Sequence, residues 1–187
     1  KLICANHISN VTGNATDIFQ IGKTAKKHGI PFFVDGAQSL GHVALNVPDN
    51  NIDFLVAAGH KGLHGAQGTG FLIYNTNYKI FPIRFGGTGT HSESLSQPTA
   101  PPEAYESGTL NSAGIIGLGA SAEWTYQNLA KISLNTRYLT SELLYGLKQI
   151  KNVKLYSSQN TGVISFNFKD YSSTDIGDYL NERDIAV

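Results

Sequence analysis

Pro31-Phe-Phe-Val-Asp-Gly-Ala-Gln-Ser39 and Asp53-Phe-Leu-Val-Ala-Ala-Gly-His-Lys-Gly62 are two short apolar runs, each leading to an ionisable side chain. Asp35 closes the first run and Lys61 follows the second, 26 positions later. Brief apolar stretches bounded by glycine read as strands, here Phe32 to Asp35 and Ile52 to Ala57. Working toward the N-terminus, Leu2 to Ala5 reads as another short buried strand, followed by a polar loop, Asn6 to Gly13. Ile18, Ile21 and Ala25 recur at helical spacing, with Thr16 or Asn14 as the expected cap and Gly29 as the stop after His28. Strand, helix, strand at this spacing predicts an α/β sheet with parallel members.

Toward the C-terminus, Gly70 to Tyr74 is a further strand. Pro82 to Pro102 is irregular, a length that in a compact domain marks a functional or a disordered loop. From Ser112 the pattern is helical almost to Ile150, with a break expected near Asn128 or Ser133. Val153 to Tyr156 and Val163 to Phe168 alternate like strands, and Ser173, Thr174 or Asp175 is expected to cap a last helix through Arg183. A domain change is placed in the long helical stretch, giving units 1–127 and 128–187.

The bulk numbers limit the partners. Lys plus Arg and Asp plus Glu are both 14, so the formal net charge is zero, and nothing argues for nucleic acid or an anionic membrane surface. No apolar run approaches the ~18 residues of a membrane span, and no signal-peptide pattern is visible. The single cysteine, Cys4, permits no intrachain disulfide and fits a reducing, cytoplasmic compartment. The chain starts inside a strand at Lys1, lacks Met and stops on the apolar run before Val187, which predicts an internal piece of a longer protein.

An acid at one strand end and a lysine after the next is the pair that pyridoxal 5'-phosphate (PLP) chemistry needs. The lysine condenses with the cofactor aldehyde, and the acid keeps the pyridine nitrogen protonated so that the ring accepts electrons. Each residue also has a plainer reading. Asp35 could cap a turn, and most lysines are solvated surface groups. His60 and His64 are four apart, but the glycines around them argue against a helix and no third metal ligand lies nearby. Gly86-Gly-Thr-Gly-Thr90 could cradle a phosphate through its amides or serve as a hinge. Cys4 reads as a small buried hydrophobe rather than a nucleophile.

Taken together, the segments resemble the class V aminotransferase family of fold-type I PLP enzymes, and within it cysteine desulfurases and selenocysteine lyases. His7-Ile-Ser-Asn-Val-Thr-Gly13 resembles the family's His-x-Ser-Asn-x-x-Gly, and Asp35-Gly-Ala-Gln38 its Asp-x-Ala-Gln. Gly59-His-Lys-Gly-Leu-His-Gly65 resembles its Ser-Gly-His-Lys segment with the glycine turn, and Tyr105-Glu-Ser-Gly-Thr-Leu-Asn111 its Glu-x-Gly-Thr-x-Asn. The resemblance implies the fold-type I large domain, partial and mostly parallel, plus the start of a small α+β C-terminal domain.

It also implies roles. Lys61 would be the Schiff-base lysine and the base at the substrate α-carbon, and Asp35 the partner of the pyridinium nitrogen. Gln38 and Asn10 would bond the cofactor's 3-hydroxyl oxygen or the neighbouring substrate side. His60 would reach the phosphate, and so would Thr109, from the partner subunit of a homodimer. The substrate implied is cysteine or selenocysteine, which would lose sulfur or selenium to leave alanine, with a sulfur-acceptor protein as a further partner. Transamination, β-elimination or racemisation would use the same visible residues, whereas Ala58 and the missing ends favour a different alternative for these 187 residues alone, a non-catalytic binding or dimerisation partner. One departure is Ala58, where the family carries a serine or threonine on the phosphate. The ring-stacking aromatic would lie before Lys1, and the sulfur-taking cysteine and the carboxylate-gripping arginine after Val187.

Overall fold

Alternating apolar residues build a four-stranded sheet of β1 (Ile3–Asn6), β2 (Phe32–Asp35), β3 (Phe54–Ala58) and β4 (Gly70–Tyr74), side by side in that order. The structure is a computed structural model that describes every residue except 76, 91, 92 and 160. β1, β2 and β3 run parallel, with Asn6 opposite Asp35 and Asp35 opposite Val56. β4 is antiparallel to β3, Ala58 facing Gly70. The chain between them, residues 59–69, is too short for the crossover that a parallel neighbour requires.

Helix α1 (Ile18–Lys27) makes the crossover from β1 to β2. Its cap is Asp17, whose carboxylate accepts the Gln20 N–H at 3.0 Å, and neither Asn14 nor Thr16 takes that role. Thr16 instead donates its N–H to the His7 carbonyl, while Asn14 is engaged by a distant segment described below. Gly29 ends the helix in the left-handed region, at φ 60°.

One face of the sheet carries the core. Phe32 and Val34 are fully buried (0% exposed) against Ile18, Ala25, Ile52 and Leu55. Each such side chain stabilises the fold by about 1.5–3 kcal/mol through removal of apolar area from water. On the opposite face Phe33 stacks on Phe54 with ring centroids 6.3 Å apart, and both remain half-buried. Cys4 points to this second face and is exposed, which corrects the expectation that it is buried. Its strand is present as expected, but among the described residues β1 is an edge strand and its outer face lacks a covering helix.

Helix α2 (Ser112–Lys148) runs without the break expected near Asn128 or Ser133. No glycine or proline occurs between Gly119 and Gly146, and the Asn128 amide folds back onto the Trp124 carbonyl at 2.8 Å instead of opening the helix. A two-stranded antiparallel sheet follows, β5 (Val153–Leu155) with β6 (Phe166–Phe168), and then α3 (Ser173–Asn181). α3 is capped by Ser172, one residue before the earliest expected cap. The stretch from Pro82 to Pro102 has no regular structure among its described residues, and positions 91 and 92 lie outside them. No helix among the described residues is long and apolar enough to cross a membrane.

Candidate active site

Parallel strands end together, and the loops leaving their C-terminal ends form the usual ligand crevice of an α/β sheet. Asn6, Asp35 and Ala58 are the last residues of three adjacent strands. Asp35 is held by its neighbours on both sides. Its carbonyl accepts the His7 N–H at 2.9 Å, and the next amide, Gly36, donates to Val56 at 2.9 Å. The carboxylate Oδ1 accepts the Ala37 N–H at 2.8 Å, which fixes the side chain in a tight turn. Among the described residues Oδ2 has no hydrogen-bond partner, so the exposed acid presents one free oxygen to solvent.

Gln38 sits half-buried on the run of turns that follows, which is pinned beneath by Ser39. That serine is fully buried, and its hydroxyl donates to the Gly36 carbonyl at 3.3 Å. Lys61 lies at the bend of the loop between β3 and β4. Gly59 donates to Thr69 and Gly65 donates to Gly59, each at 2.8 Å, and His64 donates its N–H to Lys61 at 2.9 Å. These bonds close the base of the loop and leave Lys61 and His60 exposed, with no ion pair to either among the described residues. His60 and His64 occupy turns rather than a helix, and no group of three or more metal-ligating side chains occurs among the described residues.

The acid-bearing turn and the lysine-bearing loop touch directly. A Cβ on Gly62 would fall 2.4 Å from the Leu40 carbonyl oxygen and within 2.9 Å of the His42 ring. A Cβ on Gly41, which sits at φ 86°, would fall 2.0 Å from the Gly62 carbonyl oxygen. Two glycines are therefore what lets the peptide after Lys61 lie on the turn that carries Asp35 and Gln38. Sequence reasoning named neither Gly41 nor His42. The glycine pair was the available signal, but a contact between Gly41 and Gly62, 21 positions apart, has no local signature.

His42 and His64 support this contact. Burial lowers the His42 pKa, and the neighbouring His64 lowers it further, so the imidazole against Gly62 favours its neutral form. His64 ties the loop to α2, its Nδ1 3.2 Å from the Thr125 hydroxyl and its ring edge-on to Trp124 at 5.8 Å. Burial also lowers the pKa of His7, next to the end of β1.

Asn10 is exposed on the loop after β1, and its side chain has no partner among the described residues. Thr109 is exposed on the segment leading into α2. It lies two residues before Asn111, the cap of α2, in a segment whose Gly108 N–H donates to Gly87 at 2.7 Å. The glycine run 86–90 spends part of its polar capacity internally. Gly86 donates to the Gln97 side chain at 3.3 Å, and the Thr88 and Thr90 hydroxyls lie 2.9 Å apart. The concavity of about 350 Å³ that it lines does not include Asp35 or Lys61.

The donor set fits PLP. Among the described residues Lys61 offers an amine with no ion-pair partner and Asp35 an acid with one oxygen free; with the amides of Asn10 and Gln38 and the imidazole of His60, they sit at or just after the ends of three adjacent strands. Ala58 brings no hydroxyl, so any phosphate contact there comes from another group.

The chain resembles known proteins along its whole length. A cysteine desulfurase of Salmonella agona is 36% identical over 194 residues, covering 100% of this chain and 48% of the relative. The apo structure of cysteine desulfurase from Thermococcus onnurineus NA1 superposes with a TM-score of 0.90 at 34% identity, over 100% of this chain and 48% of that one. The cysteine desulfurase CsdA of Escherichia coli gives a TM-score of 0.87 at 29% identity, with coverage of 100% and 48%. The chain thus spans about half the length of the curated relatives it matches. Proteins of this kind depend on PLP, and the fold is that of the fold-type I PLP enzymes. Because the aminotransferase class-V family matches residues 1–187 in full, the chain belongs to that family.

Proposed function

We propose that the protein is a PLP-dependent cysteine desulfurase that takes sulfur from cysteine, or selenium from selenocysteine, and leaves alanine. The observation that carries this reading is the placement of Asp35 and Lys61. Asp35 ends one strand and Lys61 lies just past the end of its parallel neighbour, in a chain whose full length matches cysteine desulfurases. When bound, the cofactor supplies an electron-accepting ring conjugated to the substrate α-carbon.

The chain's own residues do the rest. The Lys61 amine would anchor the cofactor and, when free, would accept the substrate α-proton and return one later. Asp35, kept in one rotamer by Ala37, holds a proton at the pyridine nitrogen. Gln38 and Asn10 orient the ring through its 3-hydroxyl side, and His60 contacts the phosphate. Thr109 reaches the phosphate of a second copy, which makes the working unit a homodimer. The sulfur-accepting thiol is a cysteine other than Cys4, and a sulfur-acceptor protein then receives the sulfur. Residues 1–127 form the cofactor-binding part and 128–187 begin the small domain, with α2 spanning the division. The compartment is the cytoplasm.

Reduction of the cofactor-loaded full-length protein with borohydride, followed by peptide mass analysis, tests the anchor. The expected result is a reduced cofactor adduct on the Lys61 peptide, and an adduct on another lysine overturns the assignment. Product analysis tests the reaction. Alanine with sulfide or persulfide is expected from cysteine, whereas pyruvate or transfer of the amino group to a keto acid would assign a different class V reaction.

A further inference from the structure

The loop that carries Asn10 is held from the far end of the chain. Three successive carbonyls, those of Val11, Thr12 and Gly13, accept hydroxyl hydrogens from Ser165, Ser157 and Thr161 respectively. The Ser157 bond measures 2.5 Å, and the same hydroxyl accepts the Ser165 N–H at 2.7 Å. Ser157 is also buried, at 7% exposure. Asn14 completes the attachment, donating to the Tyr156 carbonyl at 3.2 Å and accepting from the Ser158 amide and hydroxyl at 2.9 Å each. Gly13, at φ 70°, lets the two segments meet, since a Cβ there would fall 2.3 Å from the Val163 carbonyl oxygen.

We propose that Ser157 is a positioning residue for cofactor binding: by bridging Thr12 and Ser165 it sets the loop from which Asn10 reaches the cofactor. The inference rests on the reading of Asn10 given above. Asn10 has no side-chain partner among the described residues, so its position is set by the backbone that follows it. That backbone is fixed by hydroxyls belonging to the segment between β5 and β6. Every bond in the attachment is between neutral groups, so it persists across pH and salt. Loss of one such bond is worth up to about a tenfold change in a local equilibrium.

The test uses the full-length protein and four forms: wild type, Ser157→Ala, Asn10→Ala and the double variant. In the cofactor-free proteins, amide hydrogen exchange across residues 10–15 is expected to be up to about tenfold faster in Ser157→Ala. In the cofactor-loaded proteins, the pH midpoint of the visible absorption band is read. Ser157→Ala is expected to move it in the same direction as Asn10→Ala, and the double variant to move it no further than Asn10→Ala alone. A purely structural role would lower the melting temperature and leave the midpoint in place.

An unmoved midpoint in Ser157→Ala beside a moved one in Asn10→Ala overturns the proposal, as do additive shifts. An unmoved midpoint in Asn10→Ala overturns the cofactor role of Asn10 and the proposal with it, and the exchange result then reports only whether Ser157 holds the loop. Should Ser157→Ala fail to fold, Thr161→Val removes the neighbouring hydroxyl and is read by the same criteria.

Discussion

The two faces of the four-stranded sheet differ in what they hold. On one, Phe32, Val34 and Leu55 lie under α1 and are closed to water. On the other, Cys4, Phe33, Asp35, Phe54 and Val56 alternate with them, and none is fully buried. The register places Asn6 and Asp35 on this second face, next to each other at the strand ends. A carboxylate there keeps its hydration and needs no buried partner, whereas one residue earlier it would replace Val34 in the core. Stability and chemistry are thus divided by the two-residue period of a strand.

The division can be broken at several points, with effects of decreasing size. Lys61→Ala in the full-length protein should abolish the cofactor's visible band and the activity together. A retained band, read by absorbance, would move the anchor to another lysine. Phe32→Ala, on the closed face, should cost about 3–5 kcal/mol in denaturant unfolding. Cys4→Ser on the open face should stay within about 0.5 kcal/mol, and equal costs would erase the contrast between the faces. Asp35→Asn should slow turnover by about 10²–10³-fold while leaving the melting temperature nearly unchanged. Gly62→Ala should cost about 1–3 kcal/mol, because the Leu40 carbonyl cannot give way as a flexible side chain could.

The smallest effect is set by pH. Burial depresses the His42 and His7 pKa values below the unfolded value of about 6.5. The unfolded chain therefore takes up these protons first as pH falls. The stability tied to the neutral rings is intact above about pH 6.5 and is lost as pH drops toward their folded values. Thermal melts at pH 7.5 and 5.5 should show that loss, and His42→Asn should reduce it. A melting temperature that rises on acidification would reverse the sign.

Much of this arrangement was legible in the residues. Asp35 ends, and Lys61 follows, a strand that apolar runs and glycines delimit locally, and the structure has β2 at Phe32–Asp35 as expected. The antiparallel β4 was legible in principle from the short 59–69 connection. What could not be read depends on distant partners. Asn14 is a good helix cap by type, yet its side chain is taken by Ser158 and Tyr156, and capping passes to Asp17. Cys4 was placed on its strand but not on its face, since periodicity gives alternation and not which side is covered. The meeting of Gly41 with Gly62 is likewise a property of two turns folded onto one another.

The attachment between the Asn10 loop and the Ser157 segment joins residues 142 to 154 positions apart in sequence. A ribosome releases the N-terminal partner first, at about 5–20 residues per second. For on the order of 10–30 s the loop is outside the ribosome without the hydroxyls that fix its carbonyls. During that interval β1, α1 and β2 can assemble from contacts close in sequence, while the Asn10 loop stays unfixed. The Asn10 loop can therefore take its final form only after Ser165 has emerged, which makes it one of the last parts of this segment to be fixed.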